Sequence, residues 1–199
     1  MKRIITLIQT TLVFALVGII ILTIVVTESQ SKSGYSITTK CSTAAREWII
    51  EKFGDDENVE ELLNDINLFI STRTYIERKP TDLFQYFDID KFIENNCNGL
   101  CYDWSCFTSI VVREISAHKD WQGITPLVVD AISLNDSSNS HSFNFVVDEK
   151  NNKTFYLDTT YDNTRKEGGK QIIGVVNIGQ YSIEEFSENF CGYRITNYH

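Results

Sequence analysis

Apolar residues recur at helical spacing in the first half of the chain and alternate with polar residues in much of the second half. This pattern predicts an amphipathic helix over about 42–53, ended by Gly54, and a second helix over 59–71. A third helix is predicted to begin near Cys101. Its apolar face carries Phe107, Ile110, Val111 and Ile115.

The second half of the chain predicts an antiparallel sheet. Strand-like runs cover 125–133, 141–147, 154–158 and 171–177. The polar segment between the second and third runs is typical of a hairpin connection. Ser182 and Glu185 form the capping-box pattern of a last short helix. Helices followed by antiparallel strands indicate an α+β fold.

The N-terminal residues 1–27 contain an uncharged run of 23 residues, from Ile4 to Val26. As a helix the run would be about 35 Å long, enough to cross a hydrocarbon core of about 30 Å. The apolar region of a cleaved signal peptide is shorter, so we favour an uncleaved signal anchor, a single transmembrane helix. A cleaved signal and a secreted protein are the alternative. Lys2 and Arg3 place the N-terminus in the cytoplasm and the rest of the chain outside.

Beyond this segment, residues 28–40 are rich in Ser and Thr and predict a stalk. Residues 41–199 have the length of one domain with a single core. The chain carries 27 acidic and 18 basic residues, a net charge of −9, and no basic cluster. Because phosphate contacts need clustered cations, we do not expect nucleic acid as a partner. The expected membrane contact is through the N-terminal helix.

Five cysteines occur in the chain: Cys41, Cys97, Cys101, Cys106 and Cys191. In an oxidising compartment an odd number leaves at least one thiol without an intrachain partner, and a free Cys101 would account for it. Cys41 and Cys191 lie near the two ends of the domain, so a bridge between them is one hypothesis. Sequence alone does not fix the connectivity.

Cys101 has the setting of a nucleophilic thiol. It follows the turn residue Gly99 and stands where a helix begins. The unpaired N–H groups and partial positive charge of a helix N-terminus favour the thiolate, which is the reactive form. Cys106 lies about 140° further round the same helix, so it cannot face the same base.

His141 is the best-placed base among the three histidines. It shares strand parity with Phe143, which places it on the core-facing side of its strand, where a packed helix could meet it. Asp158 ends the neighbouring strand and could orient the His141 ring. Asp162 is a second, weaker candidate for the same role.

These residues lie in three motifs, in order: GLCYD at 99–103, HSFN at 141–144 and DTTYD at 158–162. The set resembles the transglutaminase-like superfamily, which shows a cysteine after glycine at a helix start, then a histidine motif, then a strand that ends in aspartate. The chain departs from the family pattern in three places. Ser105 replaces a small alanine, Phe143 a tryptophan and Thr159 a proline.

The resemblance implies a papain-like arrangement in which the nucleophile helix packs on an antiparallel sheet. It implies Cys101 as the nucleophile, His141 as the base and Asp158 as the orienting acid. Members include cross-linking transglutaminases, cysteine peptidases and amide-cleaving enzymes, all of which form an acyl-thioester. The expected substrate is a protein or peptide, and no cofactor is implied. Some members use an upstream aromatic residue at the oxyanion, for which Tyr75 and Tyr86 are both candidates.

Two other functions compete with this interpretation. One is a binding or surface-interaction module that keeps the fold without turnover, favoured if Cys101 is disulfide-bonded. The other is a metal site. Its ligands would be Cys97, Cys101, Cys106 and His141. Because the C-x3-C-x4-C spacing is not that of a usual zinc site, the sequence favours acyl chemistry over a metal.

Overall fold

The computed structural model describes residues 41–76, 87–160 and 174–199. The predicted anchor and stalk lie outside the described residues, as do Tyr86 and Asp162. The chain divides into two compact units, and every described residue belongs to the second, Ser36–His199. Of the helices in the described part of the chain, none is long and apolar enough to cross a membrane.

Four helices precede the sheet in the described residues: α1 Thr43–Phe53, α2 Val59–Ser71, α3 Ile89–Glu94 and α4 Cys101–His118. The side chain of Ser42 caps α1 by accepting a 3.0 Å hydrogen bond from the Ala45 N–H. The Asn58 side chain caps α2 in the same way, by accepting a hydrogen bond from the Glu61 N–H. These caps explain why both helices begin where the sequence predicts. The short helix α3 was not predicted.

Five described strands form one sheet: β1 Ile124–Ser133, β2 Ser140–Asp148, β3 Lys153–Leu157, β4 Val176–Asn177 and β5 Tyr193–Tyr198. Their order is β4-β3-β2-β1-β5, and all neighbours are antiparallel. Helix α5, Ile183–Phe186, and a π-helix, Ser187–Cys191, connect β4 to β5. The predicted α+β class and the capping box of α5 are confirmed.

The sheet is covered on both faces. On one face, Val146 of β2 and Phe155 and Leu157 of β3 join the core made by α1 to α4. On the other, Phe143 and Phe145 pack with Tyr156, Tyr193 and Phe186 of α5, and this group is called the second core. Hydrophobic packing therefore holds the long helix on one side of the sheet and α5 on the other.

This arrangement corrects the expected surroundings of His141. Its strand parity is that of Phe143, whose ring lies in the second core, so this face of β2 is not the one that α4 covers. The alternate residues face α4, where Asn144 Nδ2 donates to the Ser105 carbonyl at 3.0 Å. His141 meets α4 only because it stands at the start of its strand.

The predicted Cys41–Cys191 bridge is not formed, and all five cysteines are free thiols. Cys41 packs against the core on the α4 side of the sheet, whereas Cys191 packs against the second core. Because the sheet lies between these two cores, the hypothesis based on closeness to the domain ends is wrong.

Candidate active site

Cys101 is the first residue of α4, and its position is fixed by the residues around it. Leu100 is the extended N-cap residue, and its N–H donates to Asp103 Oδ2 at 3.1 Å. Asp103 is almost fully buried, and its carboxylate lies against Gly99. A Cβ on Gly99 would come within 2.8 Å of the Asp103 side chain and 2.9 Å of the Phe92 ring. The glycine is thus needed for the close packing of this loop.

The segment at Tyr75 is pinned beside this loop. Ile76 N–H donates to the Gly99 carbonyl at 2.9 Å, and Gly99 N–H donates to the Thr74 carbonyl at 3.3 Å. The Tyr75 ring packs edge-on against Trp104, with centroids 5.7 Å apart. Of the two upstream aromatic candidates, Tyr75 therefore lies next to the nucleophile loop, and Tyr86 lies outside the described residues.

The loop before Cys101 also carries backbone strain. Asn96 and Cys97 both have positive φ angles, 54° and 56°, which residues other than glycine seldom adopt. The Trp104 indole N–H donates to the Cys97 carbonyl at 3.0 Å and holds this conformation. Strain maintained in this way is commonly found where a functional residue must be placed accurately.

His141 is the second residue of β2, and from there its ring reaches Cys101. Its ring is buried, with centroids 5.3 Å from Tyr193 and 5.8 Å from Phe143. Nε2 lies 2.7 Å from Asp158 Oδ2, and the ring also forms a hydrogen bond with Cys101. Because Nε2 is taken by Asp158, Nδ1 is the ring nitrogen left for the thiol.

Asp158 directly follows β3, which pairs with β2, so the hairpin brings Asp158 next to His141. It is 2% exposed. Oδ1 accepts the Thr160 N–H at 3.1 Å, and Oδ2 accepts the Tyr156 hydroxyl at 3.2 Å in addition to the His141 ring. The structure thus brings together all three residues that the sequence selected.

The His141 ring is held in its protonated form. Burial alone would lower its pKa, because a charged ring loses hydration. The Asp158 carboxylate, with the hydrogen bonds to Asp158 and Cys101, outweighs burial and raises the pKa of His141 to about 10. The arrangement therefore favours a proton on His141 at neutral pH.

The other cysteines are in different surroundings. Burial raises the pKa of Cys97 to about 11 and the pKa values of Cys106 and Cys191 to about 12. Burial also raises the pKa of Cys41. These four thiols are therefore expected to be unreactive at neutral pH, since the thiolate is the reactive form.

The alternative metal site can be examined in the same region. Among the residues that the structure describes, no group of three or more His, Cys, Asp or Glu side chains is arranged to hold a metal ion. Cys106 lies on α4 within hydrogen-bonding reach of the Tyr102 hydroxyl, whereas Cys101 contacts His141. The two thiols thus have separate partners.

Comparison with known proteins gives matches at the level of structure. The chain is similar in structure to Legionella pneumophila LapG. The two share 13% identity over 78% of this chain and 72% of LapG, with a TM-score of 0.47. A presumed cysteine protease from Cytophaga hutchinsonii is 17% identical over 78% of this chain and 49% of that one, with a TM-score of 0.46. No family model and no curated protein matches the chain.

A structure of calcium-bound LapG is 16% identical over 85% of each chain, with a TM-score of 0.41. This chain spans about half the length of the Cytophaga protein.

Four residues near the site were not selected from the sequence: Tyr156, Thr160, Cys191 and Tyr193. The sequence could have indicated Tyr156, because a residue two positions before Asp158 lies on the same face of the strand. Cys191 and Tyr193 carried none, because their closeness to the site depends on how the C-terminal segment folds over the second core.

Proposed function

We propose that this protein is a cysteine-dependent amide-cleaving enzyme in which Cys101 is the nucleophile, His141 the general acid and base, and Asp158 the residue that orients His141. The observation that carries the proposal is the hydrogen-bonded series from Cys101 through His141 to Asp158, with Nε2 and Oδ2 2.7 Å apart. The substrate would be a peptide or a glutamine-type amide of a protein.

In the first half of the proposed reaction, the Cys101 thiolate attacks the amide carbonyl carbon. The oxygen that becomes negative would be stabilised by N–H groups in the first turn of α4, which have no acceptor within the helix. His141 gives its Nδ1 proton to the leaving amine as the C–N bond breaks. The products are a free amine, an acyl-thioester on Cys101 and a neutral His141.

In the second half, water or another amine attacks the thioester. His141 removes a proton from the attacking group, and the C–S bond breaks to release a carboxylic acid or a new amide. Cys101 returns as a thiolate beside a protonated His141, so the cycle closes without any cofactor. Which acceptor is used decides between hydrolysis and acyl transfer.

The alternative, an inactive binding module, was expected if Cys101 were disulfide-bonded. Cys101 is a free thiol and partly exposed, so a reagent or substrate can approach it. No other described feature favours the binding module.

The test is the rate at which limiting iodoacetamide alkylates each cysteine between pH 4 and 9. The full chain would be held in mild detergent and the modified peptides mapped. We expect Cys101 to be alkylated well below pH 8 and faster than the other four thiols, and His141→Ala to abolish this advantage. Equal rates at Cys101 and the other thiols would overturn the proposal.

We also propose that residues 1–27 anchor the protein in a membrane, with residues 41–199 outside the cytoplasm. The support is the uncharged run and the basic residues before it. A membrane-impermeant amine-reactive label applied to intact cells should modify lysines such as Lys91. Protection of these lysines until the cells are lysed would contradict this location, and a mature N-terminus near residue 28 would indicate cleavage.

A further inference from the structure

Beyond Asp158, the Tyr156 hydroxyl and the Cys191 thiol continue the hydrogen-bonded series of the proposed site. Tyr156 lies on β3 two residues before Asp158, so both side chains project from the same face of the sheet. Its hydroxyl donates to Asp158 Oδ2 at 3.2 Å and also forms a hydrogen bond with Cys191 at the end of the π-helix. Tyr156 is 3% exposed.

The protons in this series can be assigned from the chemistry of each group. Burial first, and then the Asp158 charge, raise the pKa of Tyr156 well above its usual value, so the hydroxyl keeps its single proton. An ionised carboxylate only accepts, so that proton is directed at Asp158. Burial also keeps Cys191 protonated, and its S–H is left to donate to the Tyr156 oxygen.

Both oxygens of Asp158 are consequently fixed. Oδ1 is held by the Thr160 N–H at 3.1 Å, and Oδ2 is shared by Tyr156 and His141. Without the Tyr156 hydroxyl, Asp158 Oδ2 would keep its contact with the His141 ring but lose a hydrogen bond that helps to fix the orientation of the carboxylate. The negative charge facing the His141 ring would then be less well stabilised, because a buried charge depends on each hydrogen bond it accepts.

We infer that Tyr156 is a positioning residue, which acts through Asp158 to keep the carboxylate aimed at His141. This inference rests on the proposed function. The hydroxyl does not contact Cys101 or the place where a substrate would react. Its loss should change how the Cys101–His141 pair responds to pH, rather than remove the nucleophile.

The experiment compares the pH profile of Cys101 alkylation in the wild type and in Tyr156→Phe, again with the full chain in detergent. We expect the acid limb of the profile to move up by about one pH unit and the rate at pH 6 to fall roughly tenfold, since a hydrogen bond to a charged group is worth about one to two tenfold steps. Tyr198→Phe is the matched control. It also removes a hydroxyl that donates to a carboxylate, that of Glu184, away from the site, and should leave the profile unchanged.

A double substitution separates positioning from general packing. If Tyr156 acts through Asp158, then Tyr156→Phe should change nothing further in an Asp158→Asn background. An equal effect in both backgrounds would assign Tyr156 a structural role and overturn the inference. If Tyr156→Phe does not fold, 3-fluorotyrosine at position 156 keeps the ring and makes the hydroxyl a stronger donor. The acid limb should then move to lower pH, and an unchanged limb would overturn the inference.

The wild-type profile distinguishes the two proposals. A wild-type Cys101 that is alkylated no faster than the other thiols removes the proposed function, and this inference with it. A fast wild-type reaction whose profile is the same in Tyr156→Phe leaves the proposed function standing and removes only the role of Tyr156.

Discussion

Both ring nitrogens of His141 have a partner, Asp158 at Nε2 and Cys101 at Nδ1, and each partner has a separate role in the proposed reaction. Nε2 is held by Asp158, so the ring does not need to turn between accepting and releasing a proton at Nδ1. The Tyr193 ring packs against the His141 ring at an interplanar angle of 40° and limits its movement further. At the scale of single residues, the proposal therefore depends on the charge of Asp158 more than on its shape.

Asp158→Asn tests this dependence, because the amide keeps the shape of the side chain and removes its charge. Without the carboxylate, the burial that opposes a charged His141 is no longer outweighed. We expect the alkylation rate of Cys101 at pH 6 to fall roughly a hundredfold or more, within the range by which proton-transfer groups accelerate reactions.

The control is Asp148→Asn, at the opposite end of β2. Asp148 is also buried, and its carboxylate accepts hydrogen bonds from the Asn151 backbone and side chain. This variant should be alkylated at the wild-type rate. If Asp158→Asn keeps that rate as well, the dependence of the site on the Asp158 charge is wrong.

At the scale of elements, the N-terminus of α4 depends on the glycine before it. Gly99 has no positive φ, so its importance comes from the lack of space for a side chain. The sequence predicted Gly99 as a turn residue before the helix. The structure shows in addition that the Asp103 carboxylate and the Phe92 ring fill the space that a side chain would need.

Gly99→Ala should therefore destabilise the protein. The new methyl group would overlap Asp103 and Phe92 at under 3 Å, and overpacking of this kind costs about 1–3 kcal/mol. We expect a matching loss in the free energy of unfolding by urea, together with slower alkylation of Cys101.

Gly174→Ala serves as the comparison. Among the described residues, a Cβ there meets no atom within 4 Å, so the cost expected is that of its positive φ, about 1 kcal/mol or slightly more. It should leave alkylation of Cys101 unchanged. A Gly99→Ala protein as stable and as reactive as the wild type would show that the loop adapts to the methyl group.

The elements that the sequence predicted well are those set by local signals. Capping residues fixed the starts of α1, α2 and α5, and the glycine and helical spacing fixed α4. The strand β5 was missed because its main signal is pairing with β1, which lies some sixty residues earlier. Pairing of that range leaves no local pattern.

For the whole molecule, the site forms where α4, β2 and the end of β3 meet. The order and residue types of the three motifs were enough to select Cys101, His141 and Asp158. Strand parity alone could not show which core each face of the sheet would meet. The contributions of Tyr193 and Cys191 therefore required the structure.

The site should also affect the pH dependence of stability. The pKa of His141 rises from about 6.5 in the unfolded chain to about 10 in the folded protein. Its contribution to stability is then fully present below about pH 6.5 and is lost as the pH rises towards 10.

The measurement is the difference in free energy of unfolding between the wild type and His141→Gln, taken at several pH values. We expect this difference to be largest below pH 6.5 and to shrink steadily above it. A difference that stays constant up to pH 10 would mean that folding does not raise the pKa of His141.

The central claim is that His141 carries the proton that Cys101 has lost. Imidazole nitrogen NMR of histidine-labelled protein measures this directly, with His141→Gln used to assign the signal among the three histidines. The account predicts that both ring nitrogens of His141 are protonated at neutral pH and lose a proton only near pH 10. It also predicts that the pKa of His141 falls in Cys101→Ala, where the thiol no longer supports the charge. A His141 ring that is already neutral at pH 7 in the wild type would contradict the account.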